Sequence, residues 1–162
     1  AAAGGGEAAE SAALRAAYEQ LMTRGDAEVH TQAAAMITRL SAKQQAAASS
    51  LTAAEATVLR SNEEFPNDVG LLSVFLLNLM TLQPGEAMFL KPNLPHAYLR
   101  GDCMELMAES DNVVRAGFTG KFKDVPTLIS MLEYTPAKPQ LLTGTPEGAN
   151  VWLYAPPGTS FE

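Results

Sequence analysis

His96, Arg115, Lys121 and Cys103 are the side chains whose types and surroundings can do chemistry in this chain. His96 closes the run Pro84-Gly85-Glu86-Ala87-Met88-Phe89-Leu90-Lys91-Pro92-Asn93-Leu94-Pro95-His96-Ala97-Tyr98-Leu99, which reads as a tight turn, a short buried strand over 87–90 and a proline corner. Such a corner can aim the imidazole inward as a metal ligand, with Tyr98 two residues on sharing its face. The competing reading is a surface or hydrogen-bonded histidine, and spacing does not separate the two. His30, on a predicted helix near Glu28 and Thr31, has no such setting and is expected to be solvated.

Arg115 lies in Ser110-Asp111-Asn112-Val113-Val114-Arg115-Ala116-Gly117, where apolar neighbours suggest a strand that points the guanidinium into a cleft. There it can bind a phosphate or a developing oxyanion bidentately. The alternative is a structural ion pair with Glu105, Glu109 or Asp111. Lys121 can add a point charge for the same anion. Gly120-Lys121 is not a phosphate loop, because the upstream glycine and the following Ser or Thr of that motif are absent. Cys103, with His96 and Glu105, suggests a nucleophile, but its place in the apolar run 103–108 favours a buried structural thiol.

The elements that must position these residues divide the chain in two. From Glu7 to Arg60 the composition is Ala-rich and nearly free of proline and strand formers, which favours helices. Three are expected. Leu14, Tyr18, Leu21 and Met22 form one apolar stripe; Arg24-Gly25-Asp26 gives a stop, with Asp26 as the next N-cap. Val29, Ala33, Met36, Ile37 and Leu40 form the second stripe, and Thr52-Ala53-Ala54-Glu55 has capping-box spacing ahead of Val58 and Leu59. Pro66 ends this region. Beyond it, the apolar runs 77–82, 87–90 and 103–108 are separated by Pro, Gly, Asn and Asp, a β punctuation. A further helix is expected over 125–132, with Asp124 as N-cap and Pro126 in the first turn. After Ala137 the chain is proline-rich, with 151–154 as its strand candidate.

With 162 residues the chain can hold one good core, or a helical unit and a small β unit. A formal charge of −7 argues against a general nucleic-acid or anionic-membrane surface. The most apolar window, 69–82, reads as core and is short of the ~20 residues needed to span a bilayer. One cysteine permits no intrachain disulfide, which fits a reducing compartment such as the cytoplasm. The start Ala-Ala-Ala-Gly-Gly-Gly has neither an initiator Met nor a signal pattern, so the chain is expected to be the interior of a longer one.

Leu77-Asn78, Gln83-Pro84-Gly85-Glu86-Ala87, Pro95-His96-Ala97-Tyr98-Leu99, Gly101-Asp102-Cys103-Met104-Glu105 and Ser110-Asp111-Asn112-Val113-Val114-Arg115-Ala116-Gly117-Phe118-Thr119 follow one another in an order and spacing that resemble the type I phosphomannose isomerases. The likeness is close over 65–134. The preceding helices resemble the family's inserted helical domain more loosely, and Tyr154-Ala155-Pro156-Pro157 with Phe161 is similar to its link into a last β domain.

The resemblance implies an α+β chain: a helical inserted-type domain over 1–65, part of a cupin (jelly-roll) β domain over 66–136, and a loop-rich link over 137–162. It implies a zinc-dependent aldose–ketose isomerase interconverting mannose 6-phosphate and fructose 6-phosphate through a cis-enediol, supplying mannose 6-phosphate for mannosyl donors such as GDP-mannose. In the family zinc is held by one Gln, two His and one Glu; His96 matches the last His. Arg115 matches the active-site arginine, and Tyr98, Glu105, Asp111 and Lys121 match positions lining the same pocket. The implied partner is the sugar phosphate, with no nucleic acid and no membrane, in a cytoplasmic enzyme that is monomeric at full length.

Two departures stand out. Gly120 replaces the family's usual proline before the lysine, loosening the loop that presents Lys121. The other three zinc ligands belong to upstream motifs that do not occur here, and a catalytic zinc needs about three protein ligands. The chain taken alone is therefore expected to be inactive. Two other readings stay open: a non-catalytic cupin-like sugar-phosphate binder or scaffold, and a helical interaction module over 7–60.

Overall fold

The computed structural model describes residues 3–47, 50–107, 109–110 and 113–156. The three expected helices form: α1 (Ala3–Met22), α2 (Asp26–Ala46) and α3 (Ala53–Glu64). The break between α1 and α2 differs from expectation in its cap. Gly25 is the N-cap, in extended conformation and without a side-chain bond, and Asp26 is the first helical residue. There Asp26 and Glu28 put negative charge beside the unpaired amides of the first turn. Thr52 makes the expected capping box with Glu55: Glu55 N–H donates to Thr52 Oγ1 at 3.2 Å, and Thr52 N–H donates to Glu55 Oε2 at 2.7 Å. Lys43 Nζ also donates to Glu55, at 2.8 and 2.9 Å, so the start of α3 is tied to α2.

α3 ends at Phe65, whose N–H donates to Ser61 O. Asn67 then takes a left-handed turn at φ 59°, and Asp68 caps α4 (Val69–Ser73), which tightens into a 3-10 turn over Val74–Leu76. α5 (Val125–Met131) starts as expected: Asp124 accepts the Thr127 N–H at 3.1 Å, and a proline occupies the first turn.

The core consists of two clusters that meet at α4. Tyr18, Met22, Val29, Val69, Leu128 and Ile129 join α1, α2, α4 and α5. Ala33, Met36, Leu40, Val58, Leu71 and Val74 join α2, α3 and α4, with Phe118 packed against them. Positions 29, 33, 36 and 40 recur at helical spacing, and all four are buried. α4 and α5 follow position 65 in the chain, yet they belong to the same core as α1–α3. Within it, burial pushes the Tyr18 phenol up to about 12, with Tyr134 a smaller contributor.

The β part is short. β1 (Glu86–Met88) pairs antiparallel with β2 (Leu141–Thr143), Ala87 opposite Leu142; β3 (Thr145–Gly148) pairs antiparallel with β4 (Val151–Leu153), with an irregularity between Pro146 and Gly148. The Tyr154 hydroxyl donates to Gly85 O at 2.8 Å, tying the second ribbon to the turn before the first. Helices and antiparallel strands in one chain make the expected α+β class, and no larger sheet forms among the described residues.

Three local expectations are corrected. Residues 77–82 and the described part of 103–108 form no strand. Phe75, Leu77, Leu79 and Leu82 are exposed, so the apolar window 69–82 is core only in its first half; Met104 and Leu106 are almost fully solvated. A strand requires a partner as well as an apolar run, and neither stretch has one among the described residues. β2 and β3 arise where Gly144 and Pro146 suggested loop. Among the described residues no helix is long and apolar enough to cross a membrane.

Candidate functional site

The segment that carries His96 is held at both ends by local backbone chemistry. Glu86 N–H donates to Gln83 O at 2.9 Å across a turn with Pro84 second and Gly85 third, at φ 86°. That positive φ is open to glycine and strained for other residues. Gln83 N–H donates in turn to Glu86 Oε2 at 2.7 Å. At the proline corner Asn93 is left-handed, φ 65°, and its carbonyl accepts the Glu133 N–H at 3.0 Å, just beyond α5. The corner that sets up His96 is thereby anchored to the helical core.

His96 itself is exposed, against the expectation of an inward ring. Its Nδ1 lies 2.9 Å from Leu94 O. A carbonyl only accepts, so this bond puts the ring proton on Nδ1 and leaves the Nε2 lone pair free, the tautomer a metal ligand needs. The expected pairing with Tyr98 is present, ring centroids 5.7 Å apart and tilted by 54°. The Tyr98 hydroxyl donates to Glu105 Oε1 at 2.7 Å. That bond, with lesser help from burial and the nearby Glu105 and Cys103 charges, pushes the Tyr98 phenol up to about 12. His96, Tyr98 and Glu105 are thus brought together. Cys103 is free and exposed, which corrects the expectation of a buried thiol: among the described residues the run 103–107 packs against nothing that would shield it.

Arg115 is positioned from the helical side. Its neighbours Val114 and Ala116 both pack against the first core cluster, and Arg115 between them is half-buried. Immediately downstream the chain touches α4. A Cβ on Gly117 would lie 2.7 Å from Gly70 Cα, a distance that real Cβ atoms do not show. Phe118 is left-handed at φ 52°, a strained state for a bulky residue, and its ring meets Phe65 at 5.6 Å.

Sequence reading missed the residue that stabilises this turn. Asp68 Oδ1 accepts N–H bonds from Gly70 at 2.6 Å and from Phe118 at 2.7 Å, while Lys123 Nζ stands 4.0 Å from Oδ2. The signal available was an Asp at a helix N-cap position, which announces the first bond but not the second.

Arg115 makes no ion pair among the described residues, and Glu105, one of its expected partners, is hydrogen-bonded to Tyr98. Asp111 lies outside the described residues. Lys121 is exposed; its backbone N–H donates to Thr119 Oγ1 at 3.1 Å. No hydrogen bond or ion pair among the described residues joins Arg115 or Lys121 to the His96–Tyr98–Glu105 group. His30 is exposed, as expected.

The donor set answers the metal question in part. Among the described residues no three His, Cys, Asp or Glu side chains come together as a metal site. His96 offers one usable nitrogen, and these residues by themselves do not fit a zinc coordination sphere.

Residues 2–77 match the family model described as phosphomannose isomerase type I, helical insertion domain. The mannose-6-phosphate isomerase of Bos taurus is 42% identical over 157 residues, covering 94% of this chain and 37% of that protein. Its counterpart in Homo sapiens is 51% identical over 108 residues, 64% of this chain and 26% of that protein. The Arabidopsis thaliana mannose-6-phosphate isomerase 1 is 49% identical over 112 residues, 69% of this chain and 26% of that protein. The chain spans well under half the length of these relatives. A matched helical insertion domain, and relatives of one name in animals and a plant, establish that the chain belongs to the type I phosphomannose isomerase family.

Proposed function

We propose that this chain contributes part of the active site of an aldose–ketose isomerase that interconverts mannose 6-phosphate and fructose 6-phosphate. The observation that carries the reading is the bovine mannose-6-phosphate isomerase match, which covers 94% of the chain and so takes in positions 96 and 115. In this reading residues 1–65 are the helical domain, to whose core α4 and α5 are added from 66–136; the rest of 66–136 is the site-bearing part of a cupin β domain, and 137–162 is a link toward further β structure. The two ribbons would then be pieces of larger sheets completed by chain outside these residues. The protein would be a cytoplasmic monomer at full length, acting on a sugar phosphate.

In the proposed reaction a base of the complete site takes the proton from C2 while the C1 carbonyl oxygen gains a proton, giving the enediol. The base then returns its proton to C1 as the C2 hydroxyl gives up its own, which leaves the carbonyl at C2. The Arg115 guanidinium stays charged throughout and offsets the negative charge that builds on the enediolate oxygens. Lys121 is assigned to the phosphate group as a point charge. Tyr98 and Glu105, a hydrogen-bonded pair, are assigned to the wall of the same pocket, as is Asp111 by its place in the motif. His96 is assigned as one zinc ligand through Nε2, the remaining ligands coming from outside this chain.

The test is the zinc-loaded full-length gene product assayed for conversion of fructose 6-phosphate to mannose 6-phosphate. Conversion is expected, with Arg115→Ala lowering kcat by about 10²-fold or more while zinc content stays near one per chain. No conversion by the wild-type protein overturns the reading. Binding of the sugar phosphate without metal or turnover would instead favour a non-catalytic binding or scaffold protein.

A further inference from the structure

We propose that Asp68 is a positioning residue for Arg115, and that through it the helical core sets the place of the guanidinium. The inference rests on the assignment of Arg115 made above and concerns what holds that residue.

The turn that follows Arg115 does not hold itself. Phe118 sits at φ 52°, a conformation that a bulky residue keeps only where surroundings impose it. Two contacts impose it: the ring packs on Phe65 and the second core cluster, and on the backbone side Asp68 Oδ1 accepts the Phe118 N–H at 2.7 Å across 50 residues of sequence, while holding the Gly70 N–H at 2.6 Å. The Asp68 side chain is only 14% exposed, so water competes poorly for these bonds. Gly117 and Gly70 make the approach possible, because a Cβ on either would collide: from Gly117 with Gly70 Cα at 2.7 Å, from Gly70 with the Phe118 ring at 2.9 Å. Ala116, between Arg115 and this contact, packs on the core. Arg115 is therefore two residues from a fixed point, with no slack between them. Releasing Phe118 from Asp68 frees the turn to relax out of the left-handed region and moves the guanidinium with it.

Capping and clamping can be separated. Asp68→Ser keeps a good N-cap for α4 but has a side chain one bond too short to serve Phe118 as well. Asp68→Asn keeps the Oδ1 acceptor for both amides. In the full-length gene product, Asp68→Ser should lower kcat about 10- to 100-fold, the loss expected of a misplacement near 1 Å, and Asp68→Asn should recover most of it. Combined with Arg115→Ala, Asp68→Ser should add no further loss, because its effect runs through the arginine.

Multiplying losses, or an unaltered kcat in Asp68→Ser where Arg115→Ala is impaired, would overturn the positioning role. Should Arg115→Ala itself be unaffected, or the protein lack isomerase activity, the assignment of Arg115 fails instead. Amide exchange then decides the clamp: faster exchange at Phe118 in Asp68→Ser than in the parent upholds it, and unchanged exchange refutes it.

Discussion

Gly117→Ala is the substitution whose outcome the structure constrains most tightly. The added methyl would lie 2.7 Å from Gly70 Cα, 2.8 Å from Gly70 N and 3.0 Å from Asp68 Oδ1. Two of those neighbours are backbone atoms of α4, which sits between the two core clusters and cannot step back without opening both. The third is the oxygen that holds Phe118. Overpacking of a tight contact costs about 1–3 kcal/mol, and weakening a hydrogen bond to a charged acceptor adds about 1.5 kcal/mol or more. These terms share one displacement and do not simply add, so the expected destabilisation is about 2–4 kcal/mol.

Two neighbouring glycines serve as controls. A Cβ on Gly120 meets nothing within 4 Å, so Gly120→Ala should change stability by less than about 1 kcal/mol, in the stabilising direction. Gly85 is equally open in space but has φ 86°, so Gly85→Ala should cost about 1–2 kcal/mol from the backbone alone. Urea unfolding followed by far-UV circular dichroism ranks the three. A Gly117→Ala loss no larger than that of Gly85→Ala would show that α4 and the Arg115 segment are not in the contact described.

Leu71 is fully buried where α4 meets α2 and α3, so Leu71→Ala should destabilise by about 2–5 kcal/mol in the same urea assay; a loss under about 1 kcal/mol would place it at the surface. Glu55 is held below the usual carboxylate range, first by the Lys43 hydrogen bond and then by the Thr52 amide. Its contribution is therefore present above its unfolded value of 4.5 and lost as pH falls through the lower folded value, and Lys43→Met should flatten the unfolding midpoint against pH on that acid side. The Tyr98 phenol, raised from 10.0 to about 12 chiefly by Glu105, adds stability that is full below pH 10 and lost as pH rises toward 12. Glu105→Gln should return its ultraviolet phenolate transition toward the ordinary value; an unmoved transition would exclude the hydrogen bond. Cys103 is exposed, so a thiol reagent should titrate one thiol per native chain without denaturant; a need for denaturant would restore the buried reading.

What was legible in the sequence is what short-range physics writes there. α1, α2, α3 and α5 follow from apolar spacing and from caps such as Thr52 and Asp124, because helical bonds join residues four apart and their determinants sit within a few positions. The Pro84-Gly85 turn is of the same kind. Where a shift of one position decided the outcome, as with Gly25 in place of Asp26, composition left two neighbours nearly equivalent. The strands were poorly legible. Residues 77–82 and 103–108 are as apolar as any strand, while β2 and β3 form around Gly144 and Pro146, since a ladder exists only where the fold supplies its other half.

The candidate site divides along the same line. The family, and with it the candidacy of His96 and Arg115, was readable from contiguous motifs, as was the approach of the His96 and Tyr98 rings two residues apart. The free Nε2 of His96 and the Tyr98–Glu105 bond are set within two and seven positions but depend on a backbone path that motifs do not specify, and the Asp68 carboxylate that fixes the turn after Arg115 belongs to tertiary structure. Residue types within a window determine which helix or turn a segment prefers. Which oxygen meets an amide 50 positions away, and which glycines must stay bare so that two backbones can touch, is decided by packing around α4, and no local pattern encodes that distance.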